Sequence, residues 1–98
     1  MANIRLFVLD VLKPHEPNIL KLAGSISDLK GVDGVDISVY EIDSKVENVK
    51  ITVQGTNLNY QIIRDLIDES GATVHSIDKV SSGTEIIKEA HTHQDSPS

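Results

Sequence analysis

The sequence predicts one domain of the α+β class, and three observations support this prediction. The chain has 98 residues, enough for one hydrophobic core, because a typical domain holds about 100–150 residues. Segments with the alternating hydrophobicity of strands are separated by two segments with the three- and four-residue apolar spacing of helices. Gly and Pro stand between these segments, where the chain must turn. We place the domain at residues 1–90 and expect residues 91–98, which are polar, to form a disordered tail.

The first strand and the first helix are predicted on either side of a proline-rich turn. Residues 4–12 are apolar on both alternating faces, which is typical of a strand in the middle of a sheet. Pro14 and Pro17 are expected to end this strand, and Pro17 suits the first turn of a helix. The helix is expected to end at Gly31, which favours a left-handed backbone. Its apolar stripe consists of Ile19, Leu22, Ala23, Ile26 and Leu29.

The middle of the chain predicts a hairpin followed by the second helix. Residues 35–40 and 49–54 alternate apolar and polar side chains, and the charged stretch 41–48 between them is expected to form the hairpin tip. Asn59 is a suitable N-cap for the second helix, with Leu58 and Ile63 placed to form a hydrophobic staple. Gly71 is expected to close that helix. Its apolar stripe consists of Ile62, Ile63, Leu66 and Ile67.

A fourth strand is predicted at residues 72–80. Its side chains do not separate cleanly into an apolar and a polar face, so we expect a β-bulge or an edge position there. Residues 84–90 follow a Ser-Ser-Gly turn and can form either a helical turn or an extra C-terminal strand. We favour the strand.

The order of these elements, βαββαβ, is that of the ferredoxin-like sandwich, an antiparallel four-stranded sheet with two helices on one face. The first and third strands then lie in the centre. Because Asp10 should not point into the core, Leu6 and Val8 share the open face with it, and apolar side chains on an open face favour self-association. The predicted core between sheet and helices consists of Phe7, Leu9, Val11, Ile26, Ile51, Val53, Ile63 and Leu66.

Charge and composition argue against several function classes. The chain has 15 acidic and 9 basic residues, whereas nucleic-acid binding needs clustered Lys and Arg, so we expect no nucleic-acid partner. The absence of cysteine excludes a disulfide, a thiolate nucleophile and a Cys-ligated zinc site. The first residues show no signal-peptide pattern, and no apolar run approaches the ~20 residues of a membrane span. We therefore expect a cytoplasmic protein with no membrane partner.

Carboxylates and imidazoles gather at one end of the predicted fold, which we call the acidic pole. The end of the first strand, the hairpin tip and the beginning of the last strand all meet there. The predicted metal ligands are Asp10, His15, Glu16, Asp43 and His75, with Glu41 and Glu47 nearby. Such a set can bind a divalent cation, Ca²⁺, Mg²⁺ or Zn²⁺, and the sequence does not choose among them. The alternative is a solvated acidic rim, since no spacing here is a metal-binding signature.

The motifs favour binding or assembly over catalysis. Ser, His and Asp occur without a nucleophile elbow, so we expect no enzyme. One remaining function is a homo-oligomeric protein that binds a small ligand or a metal ion at the acidic pole or at a subunit interface. The other is a purely structural or protein-interaction assembly with no ligand.

Three stretches of the sequence carry a resemblance to a known family. They are Lys13-Pro14-His15-Glu16-Pro17 with the four residues before it, residues 41–55, and Val74-His75-Ser76-Ile77-Asp78. These stretches resemble a family of small archaeal proteins known only as domain of unknown function number two hundred and eleven. The resemblance extends from about residue 4 to the region of residue 89. It implies a ferredoxin-like fold and ring-like homo-oligomers in the archaeal cytoplasm, and it implies no activity.

Overall fold

The structure, a computed structural model, describes residues 3–88 and confirms the predicted order of elements. The elements are β1 (Ile4–Pro14), α1 (Ile19–Ser27), β2 (Val32–Ile42), β3 (Val46–Gly55), α2 (Tyr60–Glu69) and β4 (Thr73–Ser82). The strands form one antiparallel sheet in the order β2-β3-β1-β4. With two helices packed on one face, this is the ferredoxin-like α+β fold, and β1 and β3 are its central strands. Within the described residues, no helix has the length and apolarity needed to cross a membrane.

β1 is longer than the sequence predicts, because the first proline lies within the strand. Lys13 is paired with Glu47, and Pro14 with Val46. A proline is tolerated at this position because the end of a strand can do without one hydrogen-bond donor. The extension places Lys13 on the same side of the sheet as Val11, facing the helices.

The ends of α1 lie at its capping residues and not at Pro17 and Gly31. α1 begins at Ile19, after Pro17, because the side chain of Asn18 accepts a hydrogen bond from the Lys21 amide at 2.9 Å. It ends at Ser27, and Gly31 (φ +89°) belongs to the turn that follows. In α2 both predictions are confirmed. The side chain of Asn59 accepts from the Ile62 amide at 3.2 Å, and a left-handed Gly71 (φ +93°) follows the helix.

The core between the sheet and the helices confirms the predicted residues with one exception. Leu66 is only partly buried, whereas its neighbour Ile67 is 0% exposed. Successive residues of a helix point about 100° apart, so Ile63 and Ile67 face the sheet while Leu66 lies on the flank towards α1. Ile62, also predicted in the stripe, is 51% exposed.

Leu6 is less exposed on the open face of the sheet than the sequence predicts. Leu6 and Val8 lie on this face with Asp10, as expected from alternation, but Leu6 is only 8% exposed. The side chains beside it are polar, since Leu6 pairs with Gln54 on one side and with Ser81 on the other. Long polar side chains can shield an apolar neighbour with their stems. Leu6 therefore contributes little apolar surface to the open face, whereas Leu12 on the same face is 43% exposed.

β4 is an edge strand with bulges, as its irregular pattern predicts. Its register with β1 shifts between Val8 and Leu9 and again between Asp10 and Val11. The predicted extra strand is wrong for residues 84–88, which have no regular secondary structure. Gly83, with φ +121°, turns the chain away from β4, so these residues do not continue along the sheet. Residues 89 and 90 of that strand, and the tail at 91–98, lie outside the described residues.

Candidate functional site

The acidic pole assembles around His15, which follows β1. The His15 ring reaches the hairpin between β2 and β3, where Nδ1 lies 3.0 Å from Glu47 Oε2. Its second nitrogen, Nε2, lies 3.1 Å from the Asp43 carbonyl oxygen. The turn between β1 and α1 is thereby attached to the hairpin tip.

The two partners of His15 determine its protonation. An ionised carboxylate and a backbone carbonyl can only accept hydrogen bonds, so these two partners favour the charged ring, which can donate from both nitrogens, over the neutral ring. The hydrogen bond to Glu47 is the largest cause that raises the pKa of His15 above its ordinary value. The same bond, helped by Lys13, lowers the pKa of Glu47. The surroundings of His15 therefore favour its charged form over the neutral form that binds metal ions.

Lys13 is the residue of this site that sequence reasoning missed. Its side chain is 0% exposed, and Nζ lies 3.0 Å from Glu47 Oε1. The ammonium donates to the carbonyl oxygens of Pro14 and Pro17, each at 2.7 Å. It thus lies beneath the turn between β1 and α1 and holds two of its carbonyl groups. We call Lys13, His15 and Glu47 the pole clamp.

A pattern in the sequence could have identified Lys13 as part of this site. It continues the alternation of Phe7, Leu9 and Val11, all of which face the helices. A lysine at the next inward position needs a buried acceptor, and Glu47 is its direct partner in the β1–β3 register. Pro14 and Pro17, however, predict the end of the strand before Lys13 can pair with Glu47.

Asp43, a predicted metal ligand, uses its carboxylate to shape the hairpin turn. Its Oδ1 accepts hydrogen bonds from the amides of Lys45 and Val46, both at 2.9 Å. These two bonds lower the pKa of Asp43. Asp43 therefore meets His15 through its backbone carbonyl, while its carboxylate is directed at the turn.

Asp10 and His75 lie away from the pole clamp, on the open face of the sheet. The Tyr40 hydroxyl donates a short hydrogen bond to Asp10 Oδ1, and this bond is the largest cause that raises the pKa of Tyr40 to about 12. Asp10, Tyr40, Asn48 and His75 border one shallow cavity of about 260 Å³. Of the predicted metal ligands, only Asp10 and His75 border this cavity.

Glu16 occupies a third position, at the mouth of a groove between the helices. This groove has a volume of about 540 Å³, and its floor is formed by Leu22 and Leu66. The predicted ligands thus lie in separate places: His15 with Asp43, Asp10 with His75, and Glu16 alone. Among residues 3–88 no three His, Asp or Glu side chains converge as metal ligands. Cation binding by the predicted set stays a prediction.

The pole clamp makes a testable prediction for the pH dependence of stability. A raised pKa of His15 stabilises the fold below about pH 6.5, and this contribution is lost as the pH rises through the pKa of the folded state. A lowered pKa of Glu47 stabilises the fold above about pH 4.5, and that contribution is lost as the pH falls through its folded value. The pair therefore stabilises the protein most between these limits. We expect the difference in melting temperature between wild type and His15→Gln to shrink from pH 6 to pH 9.

The control for this prediction is ionic strength. His15 is solvent-exposed, so added salt should reduce the difference between wild type and variant at pH 6. A difference that stays constant from pH 6 to pH 9 would show that His15 is not charged in the folded protein.

Comparisons with known proteins agree with the resemblance carried by the sequence stretches. The sequence model of the family DUF211, described as uncharacterized ArCR, matches residues 5–96 of this chain. An uncharacterised protein of the archaeon Methanocaldococcus jannaschii is 50% identical over 95 residues, which covers 97% of this chain and 98% of that protein. Neither description names a reaction, a ligand or a partner.

Proposed function

Because the chain belongs to DUF211, a family of archaeal proteins of unknown function, we propose its function from its own geometry. It is a non-enzymatic subunit of a homo-oligomer that binds a small ligand at the acidic pole. The subunits associate through the edges of the sheet. The sequence resemblance, which implies ring-like assemblies, agrees with this proposal.

The observation that carries the proposal is the exposed apolar surface of β4. Ile77 is paired with Leu9, and Val80 with Phe7. Paired residues of antiparallel strands share a face, so all four face the helices. Leu9 and Phe7 are buried there, yet Ile77 is 47% exposed and Val80 49% exposed. Such surface on an unpaired edge strand favours contact with another chain.

The topology supports head-to-tail association of the subunits. The two edge strands, β2 and β4, run antiparallel to each other, because each neighbouring pair in the order β2-β3-β1-β4 is antiparallel. Placing β4 of one copy beside β2 of the next therefore continues the antiparallel sheet. A repeated contact of this kind closes into a ring when the rotation between copies fits, and otherwise makes a filament.

Replacing Ile77 with lysine tests this association. A charge on the edge strand should oppose edge pairing, so we expect the variant to sediment as a smaller species than wild type at micromolar concentration. Ile62→Lys is the matched control, because Ile62 is 51% exposed on α2 and belongs to neither edge strand. It should leave the oligomer intact. A monomeric wild-type protein, or equal dissociation by both variants, would refute association through the edges.

A specific observation favours the second candidate function, an assembly with no ligand. Glu47 already lies 3.0 Å from both Lys13 Nζ and His15 Nδ1 of the same chain. The pole clamp thus needs no added ion. Native mass spectrometry of the purified oligomer separates the two functions, because it reports subunit number and retained small molecules together.

A further inference from the structure

The groove between the helices has the volume of a small-molecule site. Its volume of about 540 Å³ lies within the roughly 300–1,000 Å³ typical of ligand pockets. It runs between the beginning of α1 and the end of α2. Leu66, which is partly buried, offers apolar surface on the floor of the groove, and Leu22 lies beneath it with 1% of its surface exposed. An apolar side chain of a ligand can contact Leu66 there.

Charged side chains of both signs line the groove. Lys21 lies on the α1 side and Glu69 on the α2 side, while Glu16 lies on the turn before α1. Within residues 3–88, none of these three charged groups makes a hydrogen bond or an ion pair. The groove therefore presents unpaired charges of both signs across an apolar floor.

The helix ends reinforce this charge distribution. The first turn of α1 has no acidic residue, and the last turn of α2 has no basic residue. The partial positive charge at the start of α1 and the partial negative charge at the end of α2 are thus not offset within their own helices. The start of α1 and Lys21 attract an anion, Glu16 on the preceding turn opposes it, and the end of α2 with Glu69 attracts a cation.

We propose that this groove binds a free α-amino acid with an apolar side chain. The carboxylate of the amino acid lies towards Lys21 and its ammonium group towards Glu69. The side chain rests on Leu22 and Leu66. A zwitterion with an apolar branch meets all three features, whereas a simple amine or a fatty acid leaves one side of the groove unmatched. The inference rests on the proposed function, because it names the class of the small ligand, and it places that ligand in the groove beside Glu16 rather than at the pole clamp.

Calorimetric titration of the full-length protein with L-leucine tests this assignment. For so small a ligand in an open groove we expect a Kd on the order of 1 mM. Two analogues and glycine separate the contributions of the ligand groups. Leucine amide lacks the carboxylate, 4-methylpentanoate lacks the ammonium group, and glycine lacks the side chain, so each should bind at least tenfold more weakly than leucine.

Variants assign the contacts to residues. Lys21→Gln and Glu69→Gln should each weaken leucine binding at least tenfold, because each removes one of the two opposite charges. Lys21→Gln should leave the residual binding of leucine amide unchanged, since that ligand has no carboxylate. Lys30→Gln and Glu85→Gln make the same charge changes outside the groove and should bind leucine as wild type does.

Several outcomes would overturn the proposal. They are no saturable binding of leucine at about ten times the expected Kd, equal binding of leucine and leucine amide, or unchanged binding in both groove variants. Sedimentation of the same samples reports the oligomeric state independently. An intact oligomer that does not bind leucine would refute the ligand assignment and leave the proposed assembly standing.

Discussion

Replacing Lys13 with methionine is expected to lower the free energy of unfolding by about 3 kcal/mol, the lower end of the cost of removing one partner from a buried ion pair. The variant leaves Glu47 Oε1, which is buried, without the ammonium that lies 3.0 Å from it. It also removes the donor to the carbonyl groups of Pro14 and Pro17. We expect a loss at the lower end of this range because His15 still forms a hydrogen bond with Glu47. Chemical denaturation at pH 6 measures the loss.

Two further variants make this prediction specific. Lys50→Met is the matched control, because Lys50 is exposed on the open face and should change stability by no more than about 0.5 kcal/mol. Adding Glu47→Leu to Lys13→Met removes both buried charges and should recover much of the loss, since apolar replacement of a whole buried pair is often neutral. Equal stabilities of the Lys13 and Lys50 variants would show that the pole clamp does not stabilise the fold.

Truncating Ile67 to alanine is expected to cost about 2–5 kcal/mol, as large-to-small changes in a packed core do. Ile67 is 0% exposed and belongs to the main core cluster. The change removes buried methyl and methylene groups and leaves a cavity between α2 and the sheet. Thermal and denaturant unfolding, analysed as a two-state transition, measure the effect.

The matched control for this prediction lies on the same helix. Ile62→Ala removes the same atoms from an exposed position and should cost no more than about 0.5 kcal/mol. Leu66→Ala should fall between the two, because Leu66 is partly buried. If Ile62→Ala lowered the free energy of unfolding as much as Ile67→Ala does, α2 would have to be oriented with Ile62 facing the core.

The candidate site was only partly predictable from the sequence. The meeting of His15 with the hairpin at one pole follows from the order of elements, and the distances to Glu47 and Asp43 confirm it. The sequence does not predict which carboxylate contacts His15. Glu47 and Asp43 are close in sequence, and only their positions in the hairpin decide which of them faces the ring. Lys13 was missed for a related reason, since local rules treat Pro14 as a strand breaker although the last residue of a strand tolerates it.

The sequence by itself determined the elements and their order. The alternation of β1, the cap at Asn59 and the glycine after α2 depend on neighbouring residues, so local physical rules were sufficient to predict them. Only the tertiary structure decided which of the apolar residues of α2 are buried and which charged groups meet. The apolar stripe of α2 contains four residues, but the sheet contacts only part of the helix surface. Ile63 and Ile67 are therefore buried, and the other two residues of the stripe are not. Ion pairs between β1 and β3 depend on strand register, which forms only when the whole sheet assembles.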